Sequence, residues 1–470
     1  MVTQEQRDAE KAFLEAERRR APELFTRAPM VDSPEFLEKI GIEGLFRDLP
    51  LAYIKFEPQD FIVEEVTPNG HVMTVDEAPL WGNLEHEGGT YYAELVKCGV
   101  NAFSAYAEIT AALAIDQKQL GYAGIKDRQA ITSQRISFRG IKDATDFQKI
   151  NSDYYFLKNI TRGKGAITTG ELKGNRFAIV ARLEKPLSPA QIAAFQETVE
   201  DIKENGFWNF FSFQRFGTPR LLSHEYGKLL LKGDYEGLIK TYLAKATQRE
   251  LPYFIELRNR IGAAWGDWAK IQKLMAPLPT SFEVEERAFI DYLVLHPKDF
   301  LGALRLAPEQ IRLWFYAYAS HLFNRKLSKL ILAGEAPMQL PLMNSLKPGD
   351  WEPYLEYLAA DGIKMPSPYY RDFPFVSVNS RTCPTTQHAE IHDVVTNGRF
   401  AVFSFTLPKG AYATTFLMHF FTLASGLPLP PDIPTDPIDS KAALRIGTLE
   451  PILKKFAKSI AEQTADLEAE

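Results

Sequence analysis

Apolar and polar residues alternate with a period of two from about Leu51, and again over 61–66, 91–96, 131–138 and 177–182, which predicts strands with one face buried. A helix is predicted at 102–114. Past Leu221 the apolar spacing becomes helical, over 222–231, 235–244, 283–295 and a long run at 308–333. That last run has Pro308 in its first turn and Gly334 just beyond its end, the usual helix punctuation. Residues 335–393 are rich in proline and turn formers, strand alternation returns at 400–407, and a helix is predicted from about Ala413. Residues 1–47 read as an N-terminal helical extension whose Phe13, Leu14 and Phe25 are too sparse to form a core alone. The pattern implies an α+β fold, with a sheet domain of residues 48–220 and 394–470 interrupted by a mostly helical insertion, 221–393. No short internal repeat is visible.

A length of 470 residues suits two to four domains, and 45% hydrophobic with 24% charged residues excludes a disordered or fibrous chain. No apolar run is long enough for a membrane helix, and the first twenty residues lack the apolar stretch of a secretion signal, so a cytoplasmic protein without a membrane partner is expected. Cys98 and Cys383 lie far apart, which excludes a disulfide framework and a four-thiolate metal site. The net charge is −6, yet residues 118–185 hold 14 Lys and Arg against 6 Asp and Glu, while 57–94 hold nine acids and no Lys or Arg. Two readings fit: a protein that grips nucleic acid on one face, or basic and acidic stretches that pair with each other on folding.

His388 and His392 stand four apart in HAEIH, but the glutamate is misplaced for a metalloprotease pattern and Cys383 is the nearest thiol, so no metal site is assigned. GKG at 163–165 lacks the rest of a phosphate loop, and no GxSxG elbow occurs. Four segments carry more chemistry. GYAGIKDRQAITSQ, 121–134, sets Asp127 between Lys126 and Arg128 after two glycines; a carboxylate beside a cation stays ionised, as a nucleophile or base or as half of an ordinary ion pair. GFWNFFSFQRFG, 206–217, mixes aromatic rings with Asn209, Gln214 and Arg215, either as core or as the rings and amides that an extruded base needs. FEPQDFIVEE, 56–65, offers Phe61 after a turn, and LPKGAYATTFL, 407–417, runs from a strand through a glycine turn into a helix.

Taken in order, KFEPQDFIVEE (55–65), GYAGIKDRQAITSQ (121–134), GELKGNRFAIVAR (170–182), NFFSFQRFG (209–217), AYASHLFN (317–324) and LPKGAYAT (407–414) resemble the TruD family of tRNA pseudouridine synthases. The resemblance implies a mixed, largely antiparallel pseudouridine-synthase sheet with flanking helices, interrupted by the family's helical insertion. It also implies isomerisation of uridine to pseudouridine, most often at position 13 of transfer RNA, without metal or other cofactor and with no obligatory protein partner. The catalytic aspartate falls on Asp127, and the substrate-pocket residues on Lys55, Phe61, Asn209 and Phe211. Lys126, Arg128, Arg135 and Arg139 are candidate phosphate contacts, each with a salt bridge as the competing role. Ala102, Ala319 and Met418–His419 depart from the family pattern at positions that bear on RNA positioning rather than on the chemistry. The rivals are a non-catalytic RNA-binding module, an RNA glycosidase, which generally uses two acids, and a synthase acting on another RNA.

Overall fold

The structure, a computed structural model, describes residues 4–279, 284–345, 347–365, 367–374 and 380–469. The chain folds into two compact units. One holds residues 29–33, 48–208 and 386–470, the other residues 1–28, 34–47 and 209–385. The change-over points at 208/209 and 385/386 lie a short distance from the 220/221 and 393/394 suggested by sequence texture. The N-terminal extension is shared between the units rather than standing alone.

The first unit is built on a ten-stranded mixed sheet. Its strands are β1 (Leu51–Ile54), β2 (Phe61–Val66), β3 (Thr90–Cys98), β4 (Leu120–Tyr122), β5 (Ile131–Arg139), β6 (Tyr155–Gly163), β7 (Gly174–Leu183), β8 (Glu390–Asn397), β9 (Phe400–Pro408) and β10 (Thr422–Ala424). The main path runs β8-β9-β7-β2-β5-β3-β6, with β1 between β10 and β7 and β4 on β5. One face packs on the helix Ala102–Ala112 through Ala105, Tyr106 and Ile109, over Leu95, Ile136 and Phe138. A second cluster sets Ile62, Val96, Ile131 and Val180 against Leu449, Ile452 and Phe456 of the C-terminal segment.

Two features of this topology position the site. β1 and β2 lie end to end along one edge of β7, Ile54 opposite Ala181 and Phe61 opposite Ile179, so residues 55–60 leave the sheet as an excursion whose two ends nearly meet. Asp60, fully buried, anchors its base through Arg182 Nε and Nη2, at 2.7 and 2.9 Å. β2 and β5 are parallel, with Ile62 opposite Ile131, and β3 runs antiparallel to β5 with Lys97 opposite Thr132. The starts of β2 and β5 and the ends of β1 and β3 therefore converge.

In the second unit the helix Pro308–Ala333 spans 26 residues, opens on Pro308 and closes on Gly334 at φ +71°. It packs with Ser223–Lys232, Tyr235–Ala244 and Val284–Leu295 around Trp314, Phe315, Tyr318 and Leu322. Residues 34–47 dock on it: Asn324 Nδ2 donates to the Ile40 carbonyl and Ser328 Oγ to that of Gly41. The proline-rich stretch contains the strand Gln339–Leu342, paired with Arg381–Pro384.

Candidate active site

Asp127 lies in the loop entering β5. The cation that reaches its carboxylate is neither sequence neighbour. Lys55 Nζ donates to Asp127 Oδ2 at 2.9 Å, with the lysine side chain 14% and the aspartate 43% exposed. Lys55 is the residue at which the chain leaves β1, and it takes φ +61°, a left-handed conformation that a lysine adopts at an energetic cost. That turn carries its ammonium 4.2 Å from the centroid of the Phe61 ring at the other end of the excursion.

Phe61 is buried, packed edge-to-face on Phe177, which stacks on Phe405. With the Lys55 ammonium over its face, the Phe61 ring seats the lysine that holds Asp127.

The phosphate-contact reading of Lys126 is corrected. Between the exposed Ile125 and Asp127, Lys126 turns inward, 6% exposed, where Nζ meets Glu65 Oε2 at 2.7 Å. The other Glu65 oxygen accepts the Arg135 backbone N–H at 3.2 Å. A buried lysine already neutralised by a buried glutamate makes no phosphate contact; it ties the Asp127 loop to β2. Arg128 is exposed, its Nε 3.4 Å from the Gly99 carbonyl. Arg139 is exposed, and Arg135 stacks its guanidinium on Tyr92 at 4.2 Å. Arg135 lines a cavity of about 670 Å³ with Tyr92, Arg162 and Lys164.

Sequence reasoning missed Lys97. Fully buried at the end of β3, it donates from Nζ to the main-chain carbonyl of Asp127 at 2.6 Å and to that of Val100 at 3.2 Å. Burial lowers its pKa to about 8, against the opposing pull of Asp127. A lysine flanked by apolar Val96 and Cys98 in a buried strand was the available signal.

The glycines of the 121–134 motif act differently from a simple turn. Gly121 sits in β4, where a β-carbon would stand 2.4 Å from the Ile167 carbonyl oxygen, so close packing excludes a side chain there. The structure thus gathers Lys55, Phe61 and Asp127 in one unit, while Asn209 and Phe211 fold within the other. There Asn209 Nδ2 donates to the Pro384 carbonyl at 2.8 Å, leaving its amide oxygen as the end available to a ligand. The Phe211 backbone is held at both ends by the Asn324 amide, its ring packs edge-to-face on Phe323, and the Arg215 guanidinium lies 5.4 Å away. His392 lies in β8 rather than on a helix, and its Nε2 meets Thr406 Oγ1 at 2.8 Å.

The TruD family model, tRNA pseudouridine synthase D, matches residues 42–345, a span that contains Lys55, Asp127, Asn209 and Phe211. The chain belongs to the TruD family. A relative from Methanopyrus kandleri assigned as a tRNA pseudouridine synthase D is 29% identical over 344 residues, covering 69% of this chain and 83% of its own. One from Archaeoglobus fulgidus, assigned likewise, is 30% identical over 324 residues, covering 68% and 71%. A crystal structure assigned to TruD from Methanosarcina mazei aligns with a TM-score of 0.65 at 24% identity, over 83% of this chain and 98% of that one, which establishes the shared fold. Within this TruD chain no described helix is long and apolar enough to cross a membrane.

Proposed function

We propose that this TruD protein isomerises a uridine of transfer RNA, at position 13, with Asp127 as the group that attacks the nucleoside. Membership in a family of tRNA pseudouridine synthases gives the reaction class: isomerisation of uridine to pseudouridine in transfer RNA. The observation that carries the catalytic assignment is Asp127 itself, partly exposed and held by one lysine that is in turn seated on a buried ring.

The reaction breaks the bond from N1 to C1′ and forms one from C5 to C1′; C5 gives up a proton and N1 takes one up. Electrons and atoms balance within the nucleoside, so the chemistry requires no redox cofactor. The base first leaves its stack, at a cost of a few kcal/mol. An ionised carboxylate then either bonds to C1′ or removes a sugar proton to give a glycal, and the detached base turns before it rejoins. Both routes use the Asp127 carboxylate, to which the Lys55 ammonium donates at 2.9 Å. Asn209 and Phe211 are proposed as base-holding residues on the family resemblance, through the Asn209 amide oxygen and the Phe211 ring. Arg128, Arg135 and Arg139 are proposed phosphate contacts, a role that the exposure of Arg128 and Arg139 supports.

The test is to incubate unmodified tRNA transcripts with the purified protein and map pseudouridine by carbodiimide-dependent primer-extension stops. A single new stop at position 13 is expected. A stop only elsewhere would overturn the position, and none in any transcript would overturn the activity.

A further inference from the structure

Lys97 is a buried ammonium that, among the described residues, no carboxylate oxygen receives. Its two acceptors are main-chain carbonyls, those of Asp127 and Val100. Two other buried lysines of this unit are neutralised: Lys126 meets Glu65, and Lys158 meets Glu94 and Asp76. A charge held out of water on carbonyls alone is costly and would be more cheaply replaced by an apolar residue if packing were its purpose. Its position says what it does instead. β3 ends where β5 begins, so Lys97 reaches across the strand ends to the one peptide group that belongs to Asp127, while Lys55 holds the side chain of the same residue. One lysine fixes the backbone and the other the carboxylate.

We propose that Lys97 is a positioning residue for the reaction: its buried ammonium fixes the main chain of Asp127 and adds positive charge behind it, holding the carboxylate in attacking geometry. This rests on Asp127 as the attacking group. The groups that face Lys97 are Asp127, Cys98 and Lys126. The Cys98 thiol is pushed up to about 11 by burial and stays neutral, and Lys126 is bound to Glu65. Lys97 itself, brought to about 8, is therefore the group on this side of the loop that loses its charge under mildly alkaline conditions. A neutral amine donates more weakly to the Asp127 carbonyl and leaves the carboxylate without its second cation.

The experiment measures single-turnover release of tritium from the uridine C5 of pre-bound tRNA, from about pH 6 to 9.5, for the wild type, Lys97→Arg and Lys97→Met. Melting curves and tRNA dissociation constants are recorded alongside. For the wild type we expect the rate to fall on the alkaline side with a midpoint near 8. In Lys97→Arg, whose guanidinium stays charged throughout, that limb should be absent below about pH 9. Lys97→Met should be at least tenfold slower at every pH with tRNA affinity changed less than twofold. A Lys97→Met rate within twofold of wild type overturns the proposal. So does an unshifted alkaline limb in a folded Lys97→Arg, or a loss of affinity in step with rate, which a merely structural lysine would give. Should Asp127→Asn retain full activity, the catalytic reading itself falls; an inactive Asp127→Asn beside a fully active Lys97→Met removes only the role of Lys97.

Discussion

Asp127 stands between two cations in sequence and is paired in space with a third, and the difference decides what each residue does. The motif around Asp127 was legible because its residues are contiguous. Lys55, 72 positions earlier, was legible only through family resemblance, since its contact depends on β1 and β2 sharing the edge of β7. Replacing Lys55 by Met should lower the rate of the chemical step roughly tenfold to a hundredfold, the worth of a charge-assisted hydrogen bond of about 1.5–3 kcal/mol. Single-turnover kinetics at saturating tRNA checks this, and an unchanged rate would contradict it. Lys126→Met should behave differently. It strands the buried Glu65 carboxylate, so stability should drop by about 3–5 kcal/mol in urea melts, while the salt dependence of tRNA binding stays as in wild type. A weakened salt dependence without loss of stability would return Lys126 to the RNA surface.

At the scale of elements, the strand Phe400–Pro408 was readable from the alternation of Phe403, Ser404, Phe405, Thr406 and Leu407, and the helix Pro308–Ala333 from the proline and glycine that bracket it. β6 was not. Its run Tyr155–Phe156–Leu157–Lys158 is buried on both sides, Lys158 included, so the alternation that marks a half-exposed strand is missing. The helix Pro189–Asn205 carried a signal that went unread, the capping box of Ser188 and Gln191 around Pro189. In the helical unit, His224 and His321 stack at 4.5 Å. Burial holds both below the usual histidine range, His321 at about 4. A histidine neutral in the fold but free to protonate when unfolded stabilises the protein fully above the unfolded value of about 6.5, and that contribution is lost as pH falls toward the folded value. Between about pH 6.5 and 5 the loss should be on the order of 2 kcal/mol for His321, with His224 adding in the same direction. Denaturant midpoints across that range should fall for wild type and flatten in a His224→Gln, His321→Gln double variant. An equal slope in both proteins would contradict this account of the pair.

Over the whole molecule, the reading in which basic and acidic stretches pair on folding holds for part of the basic stretch. Lys126, Lys158, Arg176 and Arg182 of the basic stretch are bound to Glu65, Glu94, Glu64 and Asp60 of the acidic one. Arg128 and Arg139 remain exposed. Composition gave the surplus but could not say which cations were consumed, because pairing follows strand register rather than chain order. If Arg128 and Arg139 contact phosphates, alanine at either should reduce the salt slope of tRNA binding by about 0.7–0.9; unchanged slopes in both variants would remove them from the interface. All of this depends on one carboxylate, and one measurement addresses it most directly. Wild-type protein and an Asp127→Asn variant, shown to bind tRNA equally, are each given tRNA tritiated at uridine C5. Label should be released by the wild type in proportion to pseudouridine formed and not at all by the variant, whereas release at a similar rate from both would show that Asp127 does not perform the reaction.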